Sequence, residues 1–153
     1  FNTTFNIALL NSNPKLGIYK YDSYKKKWNF LNNKKFPTGR GASVKSGGIF
    51  AVIKDEVPPQ ISRIVPKINS TYRASDLNSI NFHISDELSG ISDENNFRVL
   101  LDGEELIVEY NSYQKKVIHY IDQKLTAGKH DIIIEVIDNS NNMSRIEGDF
   151  YIK

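Results

Sequence analysis

The chain has 153 residues, 39% of them hydrophobic and 25% charged, with a net charge of +2, a balance that argues for a globular rather than a disordered protein. It has no cysteine, which excludes thiol catalysis, disulfide stapling and cysteine-type zinc sites. No apolar run reaches the roughly 18 residues of a membrane helix, so no membrane insertion is expected.

The charge is unevenly spread. Residues 1–58 hold ten basic side chains against three acidic ones, a net of +7, and residues 59–153 carry a net of −5. This asymmetry supports a boundary between two unlike units. The first residue is Phe1 rather than Met, which suggests a processed chain or a fragment.

The first unit, residues 1–57, reads as β-rich, with strands expected over 5–10, 16–21, 27–31 and 49–54. Gly39, Gly41, Gly47 and Gly48 read as loop positions between the last two. Four strands give a thin core, so this segment is either a small accessory sheet or the C-terminal part of a larger β domain. Asp55-Glu56-Val57-Pro58-Pro59 follows as a linker, in which two prolines favour an extended, stiff backbone.

Residues 58–153 show strand periodicity throughout. A first strand is expected over 60–65. Ile80, Phe82 and Ile84 then alternate with polar neighbours, as do Phe97, Val99 and Leu101. Asp102-Gly103 is a tight-turn signal, because both residues tolerate positive φ. Leu106, Val108 and Tyr110 read as the return strand, followed by a strand over 117–121. The run 131–138 is so apolar that it is expected to lie centrally, and 150–152 closes the chain. A single helical turn is expected over 92–96, with Ser92 as its cap. About seven strands separated by turn signals is the pattern of an immunoglobulin-like β-sandwich. The fold class is therefore all-β, a sandwich preceded by a small β-rich segment. Its expected core is Ile80, Phe82, Ile84, Val99, Leu101, Ile132, Ile134, Val136 and Phe150.

Several segments of the second unit together resemble a family of bacterial immunoglobulin-like (Big-type) modules. They are Pro58-Pro59-Gln60-Ile61, Ser85-Asp86-Glu87-Leu88-Ser89-Gly90-Ile91, Leu100-Leu101-Asp102-Gly103, Leu125-Thr126-Ala127-Gly128-Lys129-His130 and Val136-Ile137-Asp138-Asn139-Ser140-Asn141-Asn142. In that family the last loop usually carries Gly where Asn141 stands here, a position Asn can fill because it tolerates a left-handed backbone. The resemblance implies an exported, extracellular, surface or periplasmic setting. It also implies a spacer or adhesive role in a multidomain protein, with neighbouring domains or other surface proteins as partners. Such modules often follow a catalytic domain, so a second implied role is the accessory C-terminal region of a secreted cell-wall peptidase or glycan hydrolase.

No catalytic constellation is visible, and the chain is not expected to be an enzyme. His83, His119 and His130 stand apart from any ligand-spaced partner and read as solvent-facing strand positions. Two binding possibilities carry named residues. Asp86 and Glu87 follow the second strand of the sandwich, and Asp138 and Asn139 follow the sixth. Those two loops emerge at one end of such a fold, and hard oxygen ligands suit Ca²⁺. Asp55 and Glu56 join them if the linker lies nearby. The competing reading is that Asp86 and Asp138 only cap their own loops through Asx-type hydrogen bonds; no other cofactor is expected. The second possibility is a basic aromatic surface of Tyr19, Tyr21, Lys25, Lys26, Lys27 and Trp28, suited to an acidic cell-wall glycan. The alternative is that the lysines form a solvated turn and the aromatics a small core. No motif accompanies the positive charge that would point to nucleic acid.

Overall fold

A computed structural model of the protein describes residues 4–31, 34–36 and 39–153. The fold is all-β. Six strands come first: β1 (Phe5–Leu9), β2 (Leu16–Asp22), β3 (Lys27–Phe30), β4 (Lys34–Phe36), β5 (Gly39–Val44) and β6 (Phe50–Lys54). They form two three-stranded sheets, β1-β5-β4 and β3-β2-β6. Gly39 and Gly41, expected in a loop, lie in β5. Gly41 is needed there, because a Cβ would stand 2.1 Å from the Ile7 carbonyl oxygen of the paired strand. A small cluster of Leu9, Ile18 and Ala42, flanked by Ile7, Leu16 and Leu31, forms the core of this part.

The sandwich follows with β7 (Gln60–Val65), β8 (Thr71–Tyr72), β9 (Ser79–Ser85), β10 (Phe97–Leu101), β11 (Glu104–Glu105), β12 (Glu109–Asn111), β13 (Lys116–Tyr120), β14 (Gly128–Ile137) and β15 (Met143–Ile152). One sheet runs β12-β13-β9-β7 and the other β11-β10-β14-β15-β8. Lettered in chain order, these are the D-E-B-A and C′-C-F-G sheets of an immunoglobulin-like sandwich. β8 is added in parallel beside the last strand. The strands alternate because their side chains alternate: Ile80, Phe82 and Ile84 are buried from one sheet, and Val99, Ile132, Ile134, Val136 and Phe150 from the other. Each such side chain contributes about 1.5–3 kcal/mol by leaving water. Of the expected core, Leu101 alone is only half-buried.

Three local expectations change. The return strand after Asp102-Gly103 is not continuous: β11 pairs with β10, and residues 106–108 then cross to the opposite sheet, where β12 pairs with β13. Leu106 and Val108 pack on the core during that crossing. The single helical turn is a 3-10 turn at Glu94–Asn96, capped by Asp93 rather than Ser92. The final strand begins seven residues earlier than expected, because β15 pairs with β14 along its whole length.

Strand direction fixes which loops meet. β7 runs antiparallel to β9, so the residues before β7 lie at the same end as those after β9. The β14–β15 loop emerges there too. Three separate segments (around residues 55, 86 and 138) are thereby brought to one end of the sandwich.

Candidate functional site

At that end, oxygens of the Asp55, Asp86 and Asp138 carboxylates lie within 4.8 Å of one another. Asp55 and Asp138 are fully buried and Asp86 is half-buried. Asp86 and Asp138 are held by their own loops, and Asp55 by its own segment and by the β9–β10 loop. Asp55 Oδ1 accepts from the Val57 N–H at 3.1 Å, and Oδ2 from the Ser89 N–H at 3.0 Å. Asp86 Oδ1 accepts from the N–H groups of Leu88 and Gly90 at 3.2 and 2.5 Å. Asp138 Oδ1 accepts from the N–H groups of Ser140 and Asn142, both at 2.8 Å, and the Asn142 side-chain amide reaches Oδ2 at 2.7 Å. At Asp86 and Asp138 these are Asx-type turns, as the competing reading expected, and the three carboxylates also converge on one point.

The loop backbones suit this task. Gly90 has φ +72° and Asn141 φ +61°, left-handed conformations that Gly adopts freely and Asn tolerates. The Asn142 amide also donates to the Asp55 carbonyl at 3.2 Å. Lys15, from the N-terminal strands, donates to the Asn141 carbonyl at 2.7 Å and to Asn142 Oδ1 at 2.5 Å. Lys15 therefore clamps the loop without touching a carboxylate. Among the described residues, none of the three aspartates has a salt-bridge partner.

Tyr19 roofs the cluster. It is fully buried, its ring sits edge-on to Phe30 with centroids 5.3 Å apart, and among the described residues its hydroxyl has no well-formed hydrogen bond. Gly17 makes room for this pair, since a Cβ there would stand 2.6 Å from the Phe30 ring. Burial first, then the nearby Asp55 charge, push the Tyr19 hydroxyl up to about 12, with Asp86 and Asp138 adding to the effect. The Ser140 hydroxyl approaches it, but not with the geometry of a hydrogen bond. The hydroxyls of Ser89 and Ser140 are likewise buried and unpartnered. Burial, together with the Asp55 and Asp138 charges, raises the Asp86 carboxyl above its usual range, and the Gly90 and Leu88 amides only partly oppose this.

The structure gathers some of the residues expected from the sequence and separates others. Asp86 and Asp138 meet, and Asp55 joins them. Glu87 is exposed and lies outside the carboxylate cluster, lining an adjoining surface groove with Val57, Pro58, Asp86 and Lys115. Asn139 is spent on the neighbouring loop, donating from Nδ2 to the Ser89 carbonyl at 2.9 Å and accepting from the Ser92 hydroxyl at 2.7 Å. Glu56 is also outside, paired with Lys54 on the surface. Of the basic aromatic residues, Tyr19 is corrected: it is buried at the junction and cannot present itself to a glycan. Tyr21 and Trp28 are half-buried and pack together with centroids 5.1 Å apart. Lys25, Lys26 and Lys27 are exposed on the β2–β3 hairpin.

The histidines also sort themselves. His130, expected to face solvent, is 5% exposed and stacks on Phe150. Its two ring nitrogens face Asp102 Oδ2 at 2.7 Å and the Thr126 carbonyl at 2.9 Å.

No family model matches the sequence, and no curated protein matches it. Solved structures do. CopC from Methylosinus trichosporium OB3b aligns over 62% of this chain and 93% of its own, with a TM-score of 0.50 at 9% identity. PcoC, a methionine-rich copper resistance protein from Escherichia coli, aligns over 63% of this chain and all of its own, with a TM-score of 0.48 at 13% identity. The extracellular domain of a one-component system from B. thetaiotaomicron covers the whole of this chain but 26% of its own, with a TM-score of 0.39 at 14% identity. At such identities the first likeness speaks for the β-sandwich fold alone.

Proposed function

We propose that this chain is a non-catalytic structural module of an exported protein, in which the sandwich holds the N-terminal strands, and whatever they carry, at a fixed orientation. The observation that carries this reading is the junction. Asn142 ties the β14–β15 loop to the Asp55 carbonyl, Lys15 bonds Asn141 and Asn142 of the same loop, and the Ser89 N–H donates to Asp55 Oδ2. A flexible tether needs none of these contacts; a spacer that transmits orientation needs all of them. Its setting would be outside the cell or in a periplasm, and its partners neighbouring domains of the same polypeptide or other surface proteins.

The test is limited proteolysis together with small-angle scattering. The wild-type chain should resist cleavage between Asp55 and Pro58 and scatter as one compact particle. Lys15→Ala combined with Asn142→Ala should open the junction, giving faster cleavage there and a larger radius of gyration. A wild-type chain already cleaved there as fast as this variant would sink the reading.

A second reading, a substrate-anchoring region of a secreted cell-wall enzyme, is favoured by the half-buried Tyr21–Trp28 pair beside the exposed Lys25–Lys27 turn. Retention on peptidoglycan or an acidic polysaccharide, lost in Trp28→Ala, would support it; no retention by the wild-type chain would remove it.

A further inference from the structure

We propose that Asp55, Asp86 and Asp138 form a binding site for a single Ca²⁺ ion that bridges the N-terminal strands and the sandwich. The inference goes beyond the spacer reading but concerns the same junction. Three carboxylates converge within 4.8 Å, and a calcium ion bound at 2.3–2.6 Å spans ligand oxygens up to about 5 Å apart. Two of the three are fully buried, where like charges repel strongly unless a counter-charge intervenes. No basic side chain among the described residues forms a salt bridge with any of the three; Lys15 is committed to Asn141 and Asn142, and Lys115 only lines the groove beside Asp86.

Loop capping alone would explain the amide contacts to the aspartates. It does not explain the unpartnered groups. Among the described residues, the Tyr19 hydroxyl is completely buried against the cluster with only the Ser140 hydroxyl approaching it and no well-formed hydrogen bond, and the Ser89 and Ser140 hydroxyls on the aspartate loops are buried without one as well. Buried polar atoms normally find partners, so buried hydroxyls without well-formed hydrogen bonds beside one acidic centre point to a ligand. An ion, or the water it carries, would satisfy them.

The donor chemistry selects the ion. Every converging group is an oxygen, and carboxylates with hydroxyls suit a hard cation that accepts six to eight ligands in irregular geometry. Copper sites favour imidazole and sulfur, and the one methionine, Met143, is exposed. Asp86 is the half-buried member and lines a surface groove with Glu87, so one of the three carboxylates is open to solvent.

The experiment uses the intact chain, freed of metal with EDTA and then titrated with CaCl₂. Millimolar Ca²⁺ should raise the melting temperature by about 5 °C or more. Tb³⁺ in its place should give protein-sensitised luminescence that Ca²⁺ displaces. Asp86→Asn should keep the fold, because its Oδ1 still accepts from Leu88 and Gly90, yet lose both responses. Asp138→Asn should lose them as well. No shift and no Ca²⁺-displaceable luminescence in the wild type would overturn the site, as would responses that persist in both variants. Stabilisation by Cu²⁺ but not by Ca²⁺ would overturn it too. The two readings fail separately: a junction that stays protease-resistant in EDTA, with no response to calcium, removes the ion and leaves the spacer, whereas a junction cleaved as fast as in the Lys15→Ala, Asn142→Ala variant removes the spacer.

Discussion

Asn141 shows how much one backbone angle carries. It holds φ +61° in the β14–β15 loop, and its carbonyl is where Lys15 docks. A β-branched residue in the left-handed region meets its own backbone, at a cost of about 1–2 kcal/mol. Asn141→Val should lose that much in denaturant unfolding, whereas Asn141→Gly should be neutral or slightly stabilising. This position was legible in the sequence, because Asn stands where the resembling family uses Gly. Asp55 was less so. Its place in the cluster depends on where the chain enters β7, which only the antiparallel pairing with β9 decides. Alternation put Tyr19 and Tyr21 on one face of β2, but could not say which part of that face the sandwich would cover.

His130 offers a second test at this scale. Burial favours the neutral ring, but the Thr126 carbonyl and the Asp102 carboxylate more than offset it, and the imidazole is held above its ordinary value. With an acceptor at each nitrogen, only the doubly protonated ring donates to both. A raised folded-state pKa means that this stabilisation is complete below the unfolded value of about 6.5 and is lost as pH rises through the folded value. Thermal melts across that window should show a decline in wild type that is flattened in Asp102→Asn. Asparagine retains the acceptor for the Asp131 N–H, which now bonds Asp102 Oδ1 at 2.9 Å, so a flattened profile reports the histidine. An unchanged pH profile in Asp102→Asn would show that the pair does not couple to folding.

Among the elements, β14 does most of the organising. It lies between β10 and β15, pairing five residues with one and ten with the other. Ile132, Ile134 and Val136 point inward and are all but completely buried. Ile134→Ala should cost about 2–5 kcal/mol, through lost transfer energy and the cavity left behind; a variant with unchanged stability in urea would contradict its central position. The run's apolar character announced this strand because a centrally placed strand is covered along most of its length. Breaks were harder to read. Residues 104–111 keep the alternation of one strand, yet they serve both sheets, because Leu106 and Val108 can fill the core edge while crossing between them. Periodicity records which face is apolar and is silent about which neighbour supplies the hydrogen bonds.

For the molecule as a whole, the question is whether the two parts unfold together. Among the described residues the N-terminal cluster is small, centred on Leu9, Ile18 and Ala42, whereas the sandwich has twelve buried hydrophobic residues in one cluster. The junction couples them, since Lys15 and Asp55 bond loops of the sandwich. Unfolding should therefore be a single cooperative transition. The chain carries its own reporter, because its one tryptophan, Trp28, lies in β3 and the sandwich has none. Ile134→Ala, placed deep in the sandwich, should lower the midpoint seen by Trp28 fluorescence as much as the one seen by far-ultraviolet circular dichroism. Lys15→Ala with Asn142→Ala should separate the two midpoints, the fluorescence transition coming first. If Ile134→Ala moved the dichroism midpoint and left the Trp28 transition where it was, the parts would be thermodynamically independent, and a fixed orientation between them would have no energetic basis.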